Sequence, residues 1–234
     1  MYIPFLMGPS VIFLIIFLIN SFVQLWAVEK ENQKWIYITK PLLMPLLALY
    51  YTVASIEMNE FNWLIVAALL AGCAGDVFLM LKGNDNYFLL GMVSFLLGHI
   101  FYIISFIFSM GTNILLILIA GPLLFIPVLV ILYFTFPKFK DKMGDYKIPV
   151  YVYMAVILIM HVFAILRGTH YPLLCSCFYS TYIGSILFIL SDSLIAVDKF
   201  GEKEIPRIRG RIMETYIFAQ LFIITGILLT GYLY

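Results

Sequence analysis

Long runs of apolar residues fill this sequence, and short polar segments separate them. About 20 apolar residues in a helix, rising about 1.5 Å each, cross a hydrocarbon core of about 30 Å. The runs predict eight spans near residues 3–27, 35–55, 62–82, 87–109, 113–136, 148–167, 173–196 and 211–233. The first run lacks a basic segment before it and is too long for a secretory signal core. We therefore predict an all-α integral membrane protein with one domain, residues 1–234.

Composition supports a bilayer environment for most of the chain. Apolar residues make up 64% of the 234 positions, charged residues only 12%, and the mean hydropathy is +1.05. A soluble domain has closer to half apolar and a quarter charged residues. The net charge of +1 indicates no nucleic-acid partner, and nothing indicates a cofactor.

Basic residues predict which side of the membrane each loop occupies. Every Lys and Arg except Arg167 lies at or next to the connections between spans 1–2, 3–4, 5–6 and 7–8. The positive-inside rule places these loops in the cytoplasm and both termini on the extracytoplasmic side. We expect a multi-pass protein of the cell membrane if the source is bacterial.

Two aspartates lie inside predicted spans, where an Asp costs about 2.5–3.5 kcal/mol at a helix centre. Asp76 ends the sequence AGCAGD in span 3, and Asp192 is flanked by serines in span 7. Both lie roughly 8–9 Å inside the cytoplasmic ends of their spans, which is the shared depth that a common site requires. The plain alternative for Asp192 is an ion pair with Lys199 or Arg211 near the interface.

Small and polar residues near these aspartates favour helix packing over lipid contact. Ala67, Ala71 and Gly75 repeat every four residues and allow close approach of another helix. Span 4 carries a helical stripe beside His99, formed by Phe88, Gly91, Phe95, Gly98 and Tyr102. We expect the inner half of the bundle to gather Lys40, Asp76, Asp192, Glu214, Tyr216 and Gln220.

The three cysteines do not indicate a disulfide framework. Cys73, Cys175 and Cys177 all lie in predicted spans, and an odd set inside a membrane is not typical of disulfides. Metal binding by Cys175 and Cys177 is an alternative, but we expect two small buried thiols.

The polar residues inside the spans carry a resemblance to a known family. Gly75-Asp76, with the span 4 stripe and Gly98-His99, resembles the signature of the YhhN-type lysoplasmalogenase family. Ser191-Asp192, the segment 216–220 and Lys40-Pro41 also resemble its landmarks; we place Lys40-Pro41 at the inner end of span 2, where a first-turn proline is tolerated. The resemblance extends from about residue 35 to the end of the sequence.

The resemblance implies an eight-span hydrolase that cleaves the vinyl ether bond of lysoplasmalogens. The substrate would be lysoplasmenylethanolamine or lysoplasmenylcholine, and the products a fatty aldehyde and glycerophosphoethanolamine or glycerophosphocholine. The family's two catalytic acidic positions correspond to Asp76 and Asp192. The residues expected to bind substrate or support the site are Lys40, His99, Tyr102, Ser191, Tyr216 and Gln220.

The chemistry of a vinyl ether fits a pair of carboxyl groups. Protonation of the β-carbon gives an oxocarbenium ion that water captures, as in the related ion that glycosidases handle with two carboxylates. Burial and a like-charged neighbour keep one carboxyl neutral near pH 7. We expect Asp76 to be the general acid and Asp192 the base or electrostatic partner, with the reverse assignment left open. Lys40 or the basic loops are expected to bind the phosphate as point charges.

Three other functions fit the same sequence. A metal-dependent membrane hydrolase would use His99, His161 and an Asp, although both aspartates lie about two turns shallower. A proton-coupled transporter would use Asp76 and Asp192 as relays, and spans 3 and 7 share a small-residue–Asp motif four spans apart. A non-catalytic lipid-binding protein would bind lipid without forming product.

Overall fold

The computed structural model describes residues 8–84, 86–110, 114–168, 175–202 and 205–233. Within these ranges the chain forms helices and no strand. The long helices are α1 (Ser10–Glu29), α2 (Gln33–Glu57), α3 (Trp63–Met80), α4 (Asn86–Ile107), α5 (Ile114–Thr135), α6 (Lys147–Arg167), α7 (Ser176–Phe200) and α8 (Ile208–Leu233). Eight helices of the described chain are long and apolar enough to cross a membrane. The all-α, eight-span prediction is therefore confirmed, while the predicted sidedness of the termini stays a prediction.

Asparagine caps explain where two helices of the predicted spans begin. The side chain of Asn32 accepts a hydrogen bond from the Trp35 N–H at the start of α2. Asn62 accepts from the Leu64 N–H at the start of α3. An Asn cap satisfies a backbone N–H that has no partner in the first helical turn. The predicted starts of spans 1, 5 and 7, at residues 3, 113 and 173, lie outside the described residues.

Two prolines lie inside α2, and this corrects the expected position of Lys40. Pro41 and Pro45 are both interior to the helix, which begins at Gln33. Lys40 is thus seven residues, or about 10 Å, from the start of α2, and Pro41 does not lie in the first turn of the helix. Proline has no N–H, so Pro45 leaves the Pro41 carbonyl without its helical donor. The Cys73 thiol of α3 donates to that carbonyl at 3.3 Å.

The chain divides into two compact units, Met1–Ser105 with Ile227–Tyr234, and Phe106–Gly226. In the first unit α3 meets α4 at Gly75, where an added Cβ would lie 2.6 Å from the ring of Phe95. In the second unit α7 meets α8 at Gly184, where an added Cβ would lie 2.8 Å from the Ala219 carbonyl oxygen. Gly75, one of the three small residues expected to serve helix packing near Asp76, lies at such a contact. The single domain over residues 1–234 stays a prediction.

Cys175 and Cys177 form a disulfide at the start of α7. Cys175 is the N-cap residue of that helix, in an extended conformation, and the two Cα atoms are 5.2 Å apart. That separation lies within the usual range for a disulfide. The expectation of two free buried thiols was wrong, because Cys175 precedes the helix and its side chain is free to turn toward Cys177.

Candidate active site

The sequence-predicted site residues are shared equally between the two units. The first unit contains Lys40, Asp76, His99 and Tyr102. The second unit contains Ser191, Asp192, Tyr216 and Gln220. Each unit therefore has one of the two aspartates, and each aspartate has its own set of neighbours.

In the first unit Asp76 forms an ion pair, which we call the Lys40–Asp76 centre. The Lys40 Nζ lies 3.4 Å from Asp76 Oδ1, and the two side chains are 14% and 3% exposed. Asp76 lies four residues before the end of α3, and Lys40 lies on the preceding helix at the corresponding end. An adjacent ammonium favours the ionised form of a carboxyl group. The centre therefore places a buried carboxyl group next to an ammonium.

His99 and Tyr102 lie on α4 in the first unit and are both buried. They are three residues apart, so they share one face of the helix. Their burial agrees with the expectation that the stripe on this helix faces protein. Their roles in binding or catalysis stay a prediction.

In the second unit Asp192 accepts a hydrogen bond from a tyrosine, which we call the Tyr153–Asp192 centre. The Tyr153 hydroxyl donates to Asp192 Oδ2 at 2.5 Å. Tyr153 lies six residues after the start of α6, and Asp192 lies eight residues before the end of α7. Sequence reasoning missed Tyr153, because tyrosines are common near the ends of spans and no motif distinguishes this one.

The other predicted residues of the second unit lie where α7 contacts α8. Ser191 is buried and donates to the Ile212 carbonyl at 3.1 Å. The Tyr216 ring packs edge-on against Phe188, with 5.6 Å between ring centroids. Gln220 is buried on the same helix as Tyr216. Ser191 thus holds the helix of Asp192 against α8.

His161 belongs to a separate polar contact of the second unit. Its Nδ1 lies 2.8 Å from Ser185 Oγ, and its ring lies beside those of Phe125 and Tyr182. These contacts join α5, α6 and α7. Among the described residues no three His, Cys, Asp or Glu side chains are grouped closely enough to hold a metal ion.

An apolar cavity of about 470 Å³ lies between α5 and α6 in the second unit. Its lining residues are Gly121, Pro122, Phe125, Leu129, Val162, Ile165 and Leu166. A cavity of this size and lining suits hydrocarbon.

Comparisons with known proteins connect both centres to one family. A family model described as the YhhN family matches residues 35–227, a range that includes both aspartates and both of their partners. The chain belongs to the YhhN family. Helix α1 lies outside the matched range. The resemblance seen in the sequence is therefore confirmed.

Two relatives of this YhhN-family chain have an activity in their names. The chain is 28% identical over 202 residues to lysoplasmalogenase TMEM86B of Homo sapiens, covering 85% of this chain and 78% of the human protein. It is 30% identical over 166 residues to lysoplasmalogenase TMEM86A of Bos taurus. That match covers 68% of this chain and 62% of the bovine protein, less than two thirds of its length. No solved structure matches the chain.

Proposed function

We propose that this YhhN-family chain is an ether-bond hydrolase that cleaves the vinyl ether of lysoplasmalogens. The substrates are lysoplasmenylethanolamine or lysoplasmenylcholine, and the products are a fatty aldehyde and glycerophosphoethanolamine or glycerophosphocholine. The observation that carries the proposal is the family match over both aspartate centres, supported by two relatives named lysoplasmalogenase.

In this proposal Asp192 is the general acid and Asp76 is the carboxylate. The Lys40 ammonium supports the charged form of Asp76, whereas the Tyr153 phenol can hydrogen-bond either form of Asp192. This is the reverse of the assignment expected from the apolar sequence around Asp76. The expectation changes because the sequence grouped Lys40 with both aspartates and did not indicate that its ammonium pairs with Asp76.

The proposed reaction consumes one water. Asp192 gives its proton to the β-carbon of the vinyl ether, and the π electrons form the new C–H bond. The resulting oxocarbenium ion is stabilised by the Asp76 carboxylate, which accepts a proton from the water that adds. The hemiacetal then collapses: its hydroxyl proton returns to Asp192, its bond to the glycerol oxygen breaks, and that oxygen takes the proton held by Asp76 as the aldehyde forms. Acid and base groups of this kind each contribute about 10²–10⁴-fold in rate.

The proposal places the hydrocarbon chain of the substrate along α6, toward the apolar cavity. Val162, which lines the cavity, is nine residues beyond Tyr153 on α6, or about 13.5 Å along the helix axis. A fatty chain of ordinary length covers that distance. Val162→Trp is therefore expected to lower kcat/KM for long alkenyl chains more than for short ones.

The headgroup phosphate is assigned to the basic loops in this proposal, because the Lys40 ammonium is held by Asp76. With those loops in the cytoplasm, the substrate enters from the cytoplasmic leaflet. Single cysteines introduced at Lys34 and at Asn59, at opposite ends of α2, test this sidedness. In intact cells, a membrane-impermeant maleimide should label the cysteine at position 59 and not the one at position 34.

Isotope incorporation tests the proposed reaction directly. Purified protein in lipid nanodiscs is given lysoplasmenylethanolamine in D₂O, and the aldehyde is analysed by mass spectrometry. Protonation of the β-carbon by the enzyme predicts one deuterium on carbon 2 of the aldehyde. The matched lysolipid with a saturated ether serves as control and should give no product. Aldehyde without deuterium at that carbon would contradict the mechanism, and no aldehyde from folded protein would contradict the function.

A further inference from the structure

The hydrogen bond between Tyr153 and Asp192 has a consequence for the direction in which Asp192 delivers its proton. We propose that Tyr153 is a positioning residue that holds Asp192 with its acidic proton on Oδ1, the oxygen that faces the substrate in the reaction. This inference rests on the proposed function and deepens it. Neither the family match nor the names of the relatives assigns a role to this tyrosine.

The geometry fixes one of the two carboxyl oxygens. The Tyr153 hydroxyl lies 2.5 Å from Asp192 Oδ2 and acts as the donor. Tyr153 is buried on α6, with 8% of its surface exposed. This distance lies within the range of an O–H···O hydrogen bond. Buried tyrosine hydroxyls usually find a hydrogen-bond partner, and here the proposed acid is such a partner.

The chemistry follows from the number of protons available. A carboxylic acid carries one proton, on one of its two oxygens. Because Oδ2 accepts the hydrogen bond from Tyr153, the proton of the acid form lies on Oδ1. Transfer of that proton to the β-carbon leaves a carboxylate, and the bond from Tyr153 stabilises its new negative charge. Tyr153 itself neither gains nor loses a proton in the cycle.

The neutrality of the phenol matters for this role. A cation at the same place would hold Asp192 in its charged form, as Lys40 does for Asp76. The phenol donates to Oδ2 both before and after proton transfer, so it keeps the carboxyl in one orientation through both states. A carboxyl group held in one orientation is the arrangement that proton transfer to carbon requires.

A purely structural role is the main alternative, because the same bond joins α6 to α7. The second unit offers a matched control for that alternative. The Tyr182 hydroxyl donates to the Leu124 carbonyl at 2.8 Å and joins α7 to α5, and Tyr182 is also 8% exposed. Phenylalanine at either position removes one buried phenolic hydrogen bond between helices. Of these two hydrogen bonds, only the one from Tyr153 has Asp192 as its acceptor.

The test compares Tyr153→Phe, Tyr182→Phe and Tyr153→His with the wild type and Asp192→Asn. Aldehyde release is measured as kcat and KM on monodisperse protein, and thermal stability is measured alongside. We expect Tyr153→Phe to lose about 10-fold to 100-fold in kcat with little change in KM, as misplacement of a catalytic group does. Tyr153→His keeps a ring donor and should recover part of kcat, and it serves in place of the Phe variant if that variant does not fold. Tyr182→Phe should keep the wild-type kcat.

The outcomes separate this inference from the function on which it rests. Wild-type kcat in Tyr153→Phe, or an equal loss in Tyr182→Phe, overturns the positioning role while an inactive Asp192→Asn leaves the proposed function standing. An Asp192→Asn protein with full activity overturns both. A loss confined to KM in Tyr153→Phe also overturns the role, because it would show a binding contact instead.

Discussion

The two aspartate centres are built in the same way and differ in the charge of the partner. In each unit, a helix that starts near one end of the span presents a partner to an aspartate near the end of the next helix. Lys40 lies seven residues after the start of α2, and Tyr153 lies six residues after the start of α6. The partner of Asp76 is an ammonium, and the partner of Asp192 is a neutral phenol.

This difference shows how similar positions prepare two carboxyl groups for different tasks. An adjacent cation stabilises the charged form and suits a group that must face an oxocarbenium ion as an anion. A phenol donates to either form and suits a group that must give up a proton and regain it. Because a charged partner changes a carboxyl group more than a neutral one does, removing the charge should lower kcat the most.

Removing the ammonium of the Lys40–Asp76 centre should have the largest effect. Lys40→Met keeps the length of the side chain but leaves a buried carboxylate without its cation, which is strongly destabilising. Asp76 would then take up a proton, and kcat should fall about 10³-fold or more. Lys40→Arg retains the charge and should keep more activity. Lys34→Met, on the exposed surface of the same helix, is the control for kcat, because loss of a basic-loop charge should act on KM alone.

The kinetic pattern of Lys40→Met decides between two roles for this lysine. The ion pair predicts that the loss falls on kcat. A rise in KM with unchanged kcat would show instead that Lys40 binds the substrate phosphate, and it would remove the contrast between the two centres.

Placing a cation in the Tyr153–Asp192 centre should remove the difference in partner charge between the two centres. Tyr153→Lys brings an ammonium to Asp192 and favours its charged form, so the acid is lost. We expect its kcat to be about tenfold below that of Tyr153→Phe, since a general acid contributes more than its orientation alone. Tyr151→Lys, on the half-exposed side of α6, is the matched control. Activity in Tyr153→Lys equal to that in Tyr153→Phe would show that the charge of this partner is unimportant.

The helix contacts beside the two centres should differ in their tolerance of a methyl group. At Gly184 an added Cβ meets backbone atoms of Ala219 and Ile223, whereas at Gly75 it meets only the side chain of Phe95. Gly184→Ala should therefore cost about 1–3 kcal/mol, and Gly75→Ala less. Thermal unfolding in detergent measures both. A larger loss of Tm in Gly75→Ala would show that the α3–α4 contact is the more rigid one.

The smallest effect is expected for a polar contact that lies next to Lys40 in sequence but outside the centre. Gln24 Oε1 accepts from the Thr39 hydroxyl at 2.5 Å, and its Nε2 is buried without a partner among the described residues. Gln24→Leu removes one hydrogen bond and one unsatisfied group together, so stability should change by no more than about 1 kcal/mol. Its kcat should match the wild type. A loss of kcat would show that Gln24, on α1, also supports the Lys40–Asp76 centre.

The sequence predicted the helices well because an apolar run that crosses a bilayer must satisfy its own backbone hydrogen bonds, and a helix does so. It also identified Asp76 and Asp192, since an intramembrane carboxyl group is costly and therefore conspicuous. The place of Lys40 in its helix was misjudged because Pro41 was read as a first-turn residue, while in the structure it lies inside α2. The Cys73 thiol that hydrogen-bonds the Pro41 carbonyl has no signal in the sequence.

The partner of Asp192 could not be predicted for a different reason. The chain has 16 tyrosines, and those near the ends of spans are expected at membrane interfaces in any case. Nothing in the pattern distinguishes Tyr153 from Tyr151, two residues away on the same helix. The rotation of α6 relative to α7 decides which of them meets Asp192, and that rotation is set by packing over the whole helix.

The central claim is that one neutral and one charged aspartate together hydrolyse a vinyl ether, and aldehyde release tests it most directly. Purified wild type, Asp76→Asn and Asp192→Asn are assayed with lysoplasmenylethanolamine, with Asp198→Asn at the exposed end of α7 as control. The account predicts aldehyde from the wild type and the control, and a loss of at least about 100-fold in each of the other two variants. Wild-type rates from a folded Asp76→Asn or Asp192→Asn protein would contradict it.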